Sequence, residues 1–322
     1  MIPLVALAPA KVNLCLFVGP VRADGRHELV TVFDTLDLAD TVAMELAAGA
    51  EDEVVCPGVE GPNLAADALI AFRARTGWES PPVRLTIDKR IPLAGGMAGG
   101  SADAAAALRL AAAAAGVDDP ALLEEIAAGL GADVPAQVGG GRVLAGGAGE
   151  ELRPLPAEGE PYGVLVLPVD AQLGAGEVYA TADRLGLARD AEGLAAAREA
   201  VEDALGAAAV PGGPSTSGLV AKGGAAPGGM FAAGLVANDL EVPARALCPA
   251  IDGALEAARA AGADHVLVSG SGPTALGLFT GSDGPQRAHA AAAVLADRRP
   301  RPLAAAPLPA GAGAPRALVE AP

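Results

Sequence analysis

Ile91–Ala107 reads IPLAGGMAGGSADAAAA, and the fold turns on what lies on either side of it. The run Val83-Arg84-Leu85-Thr86-Ile87 leads in, and a long alanine-rich run leads out. The first predicts a strand and the second a helix, since β-branched residues prefer sheets and alanine is the best helix former. Between them stand Gly95, Gly96, Gly99 and Gly100, followed by Ser101. Glycine lets a backbone approach a ligand without a Cβ in the way. The first turn of a helix also offers unpaired N–H groups and the positive end of the macrodipole. Together these make an anion or phosphate site. The plainer alternative is a set of turns, because the chain holds 43 glycines and clusters such as Gly139–Gly141 arise from composition. No Walker loop of the form G-x-x-x-x-G-K-[ST] is present, so any nucleotide binds in another geometry.

Around this stretch the pattern predicts strands at 2–7 and 12–18, a turn at Arg22–His27, and strands at 29–38 and 41–46. Asn63 is placed to cap a helix running to about Arg75. After the central loop come a short helix at 121–130, a chain reversal at Ala132-Asp133-Val134-Pro135, and hairpin strands within 139–153. Pro135 disfavours a helical Val134, and Asp133 is either a helix cap or a working carboxylate. The second half reads as a strand at 163–167, helices near 177–187 and 192–208, and a Gly/Pro/Ser-rich surface loop at 210–229. Helical segments then run to Ala261. A strand at 265–269, a loop at 270–273, a strand at 274–279 and a helix at 285–298 follow. This order predicts an α+β architecture with helices on one face rather than a doubly wound sheet. The last two dozen residues, rich in Pro and Ala, read as a disordered tail. The expected division is 1–157, 158–298 and the 299–322 tail.

The formal charge of −17 excludes a nucleic-acid partner, which would need a basic face. It does not exclude a phosphorylated small molecule. Cys15, Cys56 and Cys248 are too far apart for a disulfide framework or a zinc cluster, and fit a reducing, cytoplasmic setting. The three histidines offer no ligand spacing, so no protein metal cage is expected. Apolar content is inflated by alanine; the candidate span 104–117 is short and carries Arg109, and no membrane segment is predicted. Met1–Pro9 lacks a basic n-region and reads as a first strand rather than a signal peptide. Lysine is scarce, with Lys11, Lys89 and Lys222 among 22 basic residues. A compact ammonium is therefore singled out at Lys11 and Lys89.

Val266–Ala275, VLVSGSGPTA, imitates the strand and G-x-G-x-x-A of a dinucleotide fold. That motif needs a helix opening at its glycines. Here the residues that follow alternate like a strand, so a loop between two strands is the better reading.

Pro9-Ala10-Lys11-Val12-Asn13-Leu14, the Ile91–Ala107 loop and the Val266–Phe279 turn resemble, in this order, the three motifs of the GHMP small-molecule kinases. R-A-D-G-R-H-E-L-V-T, I-D-K-R-I-P-L-A-G-G, L-G-A-D-V-P and N-D-L-E narrow the resemblance to the branch acting on 4-diphosphocytidyl-2-C-methyl-D-erythritol, over about residues 5–280. The resemblance implies an N-terminal domain like the second domain of ribosomal protein S5 and a ferredoxin-like C-terminal domain. It implies ATP and Mg²⁺ as cofactors, a cytoplasmic monomer or weak homodimer, and phosphorylation of the substrate's 2-hydroxyl for isoprenoid precursors.

By the same resemblance Lys11 and Asp133 are the catalytic pair. Pro92, Leu93, Ala94, Gly95, Gly96, Met97, Ala98, Gly99, Gly100, Ser101 and Ala102 form the ATP loop. Lys89 and Asn63 lie near the nucleotide's base and sugar. Asn13, Arg26, His27 and Tyr179 face the diphosphocytidyl substrate. Ser101 is the protein group offered to Mg²⁺. Arg26 stands where relatives often carry tyrosine, and its guanidinium plane is able to stack on cytosine. Ala102 replaces a second serine, and Ala175-Gly176 replace a more polar pair. The alternatives are a GHMP kinase for homoserine or mevalonate, and a sensor that binds without turnover.

Overall fold

The computed structural model describes residues 2–156, 160–206, 229–231 and 234–318; most of the loop expected at 210–229 lies outside them. Two long antiparallel strands form the spine: β1 (Leu4–Val21) and β2 (His27–Leu46). The sequence reading divided each of these in two, because Pro9 and the Ala39-Asp40 step interrupt the apolar pattern. The strands nevertheless continue, and the interruption is absorbed as register shifts between Pro9 and Lys11 and again between Asn13 and Cys15. Bulges of this kind re-aim side chains, and here they bracket Lys11 and Asn13.

β3 (Glu53–Val55), α1 (Leu64–Thr76) and β4 (Val83–Asp88) follow, then α2 (Gly99–Ala115), α3 (Pro120–Ala128) and α4 (Val134–Gly139). Asn63 caps α1 as expected, its side chain accepting from the Ala65 N–H. α2 is buried along most of its length, Ala104–Ala107 and Leu108 having no exposed surface. Small side chains let it lie closely against α1 and the sheet, where Phe72, Leu85, Ile87 and Leu110 complete one core. β5 (Val143–Gly146) and β6 (Glu151–Pro154) form the expected hairpin on β2.

The second half contributes β7 (Tyr162–Leu167), α5 (Ala175–Arg184), α6 (Ala191–Ala204), β8 (Ala237–Asn238), α7 (Glu241–Leu247) and α8 (Ala250–Ala260). β9 (His265–Val268), β10 (Ala275–Thr280) and α9 (Gly284–Val294) complete the predicted order. β9 and β10 pair antiparallel, so the Val266–Ala275 glycines join two strands and open no dinucleotide helix. β8 leaves this half and pairs with β1.

Two expectations are corrected. Val134 is helical: Pro135 falls in the first turn of α4, where its missing N–H costs nothing. The tail is not disordered over 299–318. β11 (Leu303–Ala305) pairs with β7, and β12 (Arg316–Ala317) pairs with β1. The segment thus straps the second sheet, β11-β7-β10-β9, to the first, β12-β1-β2-β4-β3. Its Pro/Ala composition hides a backbone whose hydrogen bonds are made to the rest of the chain.

Candidate active site

A cleft of about 880 Å³ runs between the glycine loop, the bulged part of β1, the start of α4 and α5. Lys11 is buried and its Nζ donates to Asn13 Oδ1 at 2.8 Å. Asn13 Nδ2 donates in turn to Thr31 Oγ1 at 2.7 Å, and that hydroxyl to the Cys15 carbonyl at 2.6 Å. The ammonium therefore sits at the end of a satisfied chain that fixes its direction. It lies 3.7 Å from Asp133 Oδ1. Asp133 occupies the N-cap position of α4, yet its side chain makes no capping bond. Of the two sequence readings of this carboxylate, the cap is not made.

The glycine loop opens α2 through Ala98, which takes the left-handed conformation at φ 54° and offers no side-chain cap. Ala94 is also left-handed, at φ 51°. Alanine bears a steric cost there. The conformation leaves the first N–H groups of α2 without intrahelical partners at the cleft, as an anion site requires. Two contacts hold the loop from behind: the Lys11 N–H donates to Met97 O at 3.1 Å, and Ser269 Oγ donates to Gly96 O at 3.1 Å. A Cβ on Gly96 would strike the Ser269 carbonyl oxygen and approach Gly272 N at 3.0 Å. Asn238 closes this second layer, donating to Val268 O and Gly270 O at 2.8 and 2.7 Å. Asn238, Ser269 and Gly272 are brace residues. The sequence showed the N-D-L-E and S-G-S-G motifs without showing that they meet.

At the other end of the cleft His27 is buried, its Nδ1 2.8 Å from Gly19 O and its Nε2 3.1 Å from Asp183 Oδ1. Its ring stacks on Tyr179 with centroids 5.4 Å apart. Burial and the Asp133 charge both raise the Tyr179 hydroxyl pKa. Asp183 was not found from sequence, since nothing local distinguishes it from other acids on an amphipathic helix. Arg26 lines the cleft, but its guanidinium is engaged by Asp24 at 2.9 and 3.1 Å.

Lys89 borders the cleft while its ammonium is held by Asp40 and by Asp103 at 2.6 Å. Asp40 also accepts from the Arg90 and Ile91 N–H groups. Burial pushes the Asp103 carboxyl up to about 7 despite the Lys89 charge. Lys89 thus anchors the entry to the glycine loop with its charge already matched. Pro92 through Ser101 line the cleft, whereas Asn63 and Ala102 do not. Asn63 serves α1 as its cap, and Ala102 is packed into the core. Among the described residues no group of three His, Cys, Asp or Glu side chains is arranged to hold a metal. No described helix is long and apolar enough to cross a membrane.

Two sheets with an ammonium–carboxylate pair beside a glycine-rich helix start define a two-domain small-molecule kinase of the GHMP type. The pattern described as GHMP kinases N terminal domain matches residues 63–141, and that of GHMP kinases C terminal matches 229–297. Curated 4-diphosphocytidyl-2-C-methyl-D-erythritol kinases match most of the chain. The protein from Streptomyces avermitilis is 40% identical over 94% of this chain and 96% of its own. That from Anaeromyxobacter dehalogenans is 40% identical over 86% and 81%. The chain belongs to the 4-diphosphocytidyl-2-C-methyl-D-erythritol kinase family. A crystal structure of a 4-(cytidine 5'-diphospho)-2C-methyl-D-erythritol kinase superposes with a TM-score of 0.68 at 32% identity, covering 94% of this chain and 98% of that one. A homoserine kinase from Cytophaga hutchinsonii superposes at 0.62 with 16% identity, and shares the fold.

Proposed function

We propose that the chain transfers the γ-phosphoryl group of ATP to the 2-hydroxyl of 4-diphosphocytidyl-2-C-methyl-D-erythritol, with Asp133 and Lys11 as the catalytic pair. The observation that carries the assignment of roles is the 3.7 Å approach of Lys11 Nζ to an uncapping Asp133 carboxylate, between the loop amides and the His27–Tyr179 stack. Asp133 accepts the hydroxyl proton as the oxygen bonds to phosphorus and the bond to the departing ADP oxygen breaks. Such a base contributes about 10²–10⁴-fold. Lys11 orients the attacking hydroxyl and faces the charge on the moving group.

The free amides at the start of α2 hold the phosphates, in keeping with the two left-handed alanines that expose them. Mg²⁺ would be held through the nucleotide's phosphates with Ser101 as the protein's donor, as suits a cation that keeps water and phosphate ligands. Bound there, it would supply positive charge to the transferring phosphate. His27, fixed by Gly19 O and Asp183, and Tyr179 receive the cytidyl end. Arg26, tied to Asp24, serves the rim of that end rather than a stacking role.

An ADP-release assay across acceptors tests the reading. Turnover is expected with the cytidyl compound and not with homoserine or mevalonate; no turnover with the cytidyl compound would overturn it. The sensor alternative finds no support in a site that keeps both charges in reach of each other.

A further inference from the structure

His27, Leu29, Thr31 and Phe33 alternate along β2 and line the cleft from one face of the strand. His27 and Thr31 both belong to the R-A-D-G-R-H-E-L-V-T stretch, yet the proposed reaction gives a task to His27 alone. Thr31 is 4% exposed and stands behind Asn13, across from the register shifts that bracket Lys11.

The Thr31 hydroxyl has one proton to give. That proton goes to the Cys15 carbonyl at 2.6 Å, an oxygen that only accepts. Thr31 Oγ1 is thereby left as an acceptor, and the Asn13 amide answers it with Nδ2 at 2.7 Å. Asn13 Oδ1 is then the end turned to Lys11, an ammonium that only donates, at 2.8 Å. Reversing the amide would set donor against donor at Lys11, and an acceptor against a hydroxyl whose proton is already used. The order of donors and acceptors therefore runs outward from a main-chain carbonyl and ends on the cation. A β-branched residue suits the place, because a stiff χ1 holds its hydroxyl in one direction.

We propose that Thr31 is a positioning residue for the phosphoryl transfer: by pinning the Asn13 amide it holds Lys11 Nζ at 3.7 Å from Asp133 Oδ1. It acts through Asn13 and Lys11 rather than on a reacting atom. Without its hydroxyl the amide is held from one side only, and the ammonium is free to shift with it. A displacement of about 1 Å in such a group costs up to about a hundredfold in rate, while the glycine loop and its braces stay as they are. This role rests on the assignment of Lys11 and Asp133 as the catalytic pair.

Thr31→Val keeps the shape and removes the hydroxyl. Steady-state kinetics run well below its Tm are expected to show kcat lowered by about 10–100-fold. KM for ATP and for the cytidyl compound should each stay within about threefold of the parent. Thr31→Ser restores the hydroxyl and is expected to bring kcat back to within about threefold of the parent. An unchanged kcat in Thr31→Val (whatever its Tm), a loss expressed only in KM, or a Thr31→Ser enzyme as slow as Thr31→Val would each overturn the proposal. A parent enzyme that does not turn over the cytidyl compound would instead sink the functional reading on which the role depends. Should Thr31→Val not fold, ¹⁵N relaxation of the unaltered protein decides. The Asn13 side-chain amide is expected to be rigid, with an order parameter above about 0.6, and a lower value would overturn the proposal.

Discussion

Lys11 and Asp133 are separated by more than a hundred positions, and neither is informative alone. What makes the lysine specific is its partner Asn13, two residues on and on the same side of a bulged strand, whose Oδ1 holds the ammonium at 2.8 Å. What frees the aspartate is that α4 starts without using it as a cap. Asp133→Ala is expected to lower kcat by at least about a hundredfold with ATP affinity little changed. Steady-state kinetics paired with nucleotide titration check this, and normal turnover would remove Asp133 from the reaction. Asn13→Ala should act on Lys11 rather than on binding alone: it strands a buried ammonium beside Thr31. A loss of about 1–3 kcal/mol in stability is expected, with a kcat decrease that a denaturation curve run alongside separates from unfolding. At this scale the motif residues were legible and their partners were not. Asp183 has no sequence signature, because its importance lies in what crosses over to meet it.

The glycine loop was the most legible element, since strand, glycines and alanine helix each follow from local preference. What the pattern left open is whether the Val266–Ala275 loop touches a phosphate or braces this one, and the contacts made are those of a brace. Gly96 is left-handed at φ 72° and packs on the Ser269 carbonyl and the Gly272 backbone. Gly96→Ala adds strain and a clash with main chain that has no side chain to move aside. We expect at least a tenfold rise in KM for ATP and a lowered Tm; unchanged values for both would show that the brace is slack. In the second turn of α2, Asp103 carries a pH signature. Its carboxyl is raised to about 7 from 3.8, chiefly by burial. The folded state thus holds a proton that the unfolded state has already released. Stability from this group is complete below about pH 4 and is lost as pH rises through about 7. Asp103→Asn removes that dependence while Asp40 still holds Lys89. The variant should match the parent near pH 5 and exceed it in stability at pH 8, as read from urea midpoints. A variant less stable than the parent at pH 8 would mean that the Lys89 bond outweighs burial.

On the scale of the whole molecule the strap decides how the two sheets are held. Residues 303–305 extend the second sheet beside β7, and 316–317 edge the first beside β1. Between them Leu308 N–H donates to Thr35 O at 2.8 Å and Gly311 N–H donates to Gly139 O at 3.1 Å. Composition misled here because proline and alanine mark disorder only where the backbone has nothing to pair with. This segment lies along an open strand edge and is read as structure only once that edge exists. Truncation after Pro300 would uncover the β7 edge and leave Arg109 without its Gly313 acceptor. The strap's hydrogen bonds are largely offset by the entropy of ordering it, so the net cost is expected near 3 kcal/mol, or a fall in Tm of about 6–12 °C. The effect on catalysis should follow α4. Gly139 is held by the strap at one end of that helix, and Asp133 begins it at the other. Measured well below its lowered Tm, the truncated enzyme is expected to lose kcat while keeping its KM for ATP, because the glycine loop is braced by Ser269 and Asn238 rather than by the strap. A loss confined to KM for ATP, or a Tm that does not move, would show that the strap rides on the fold without bearing on it.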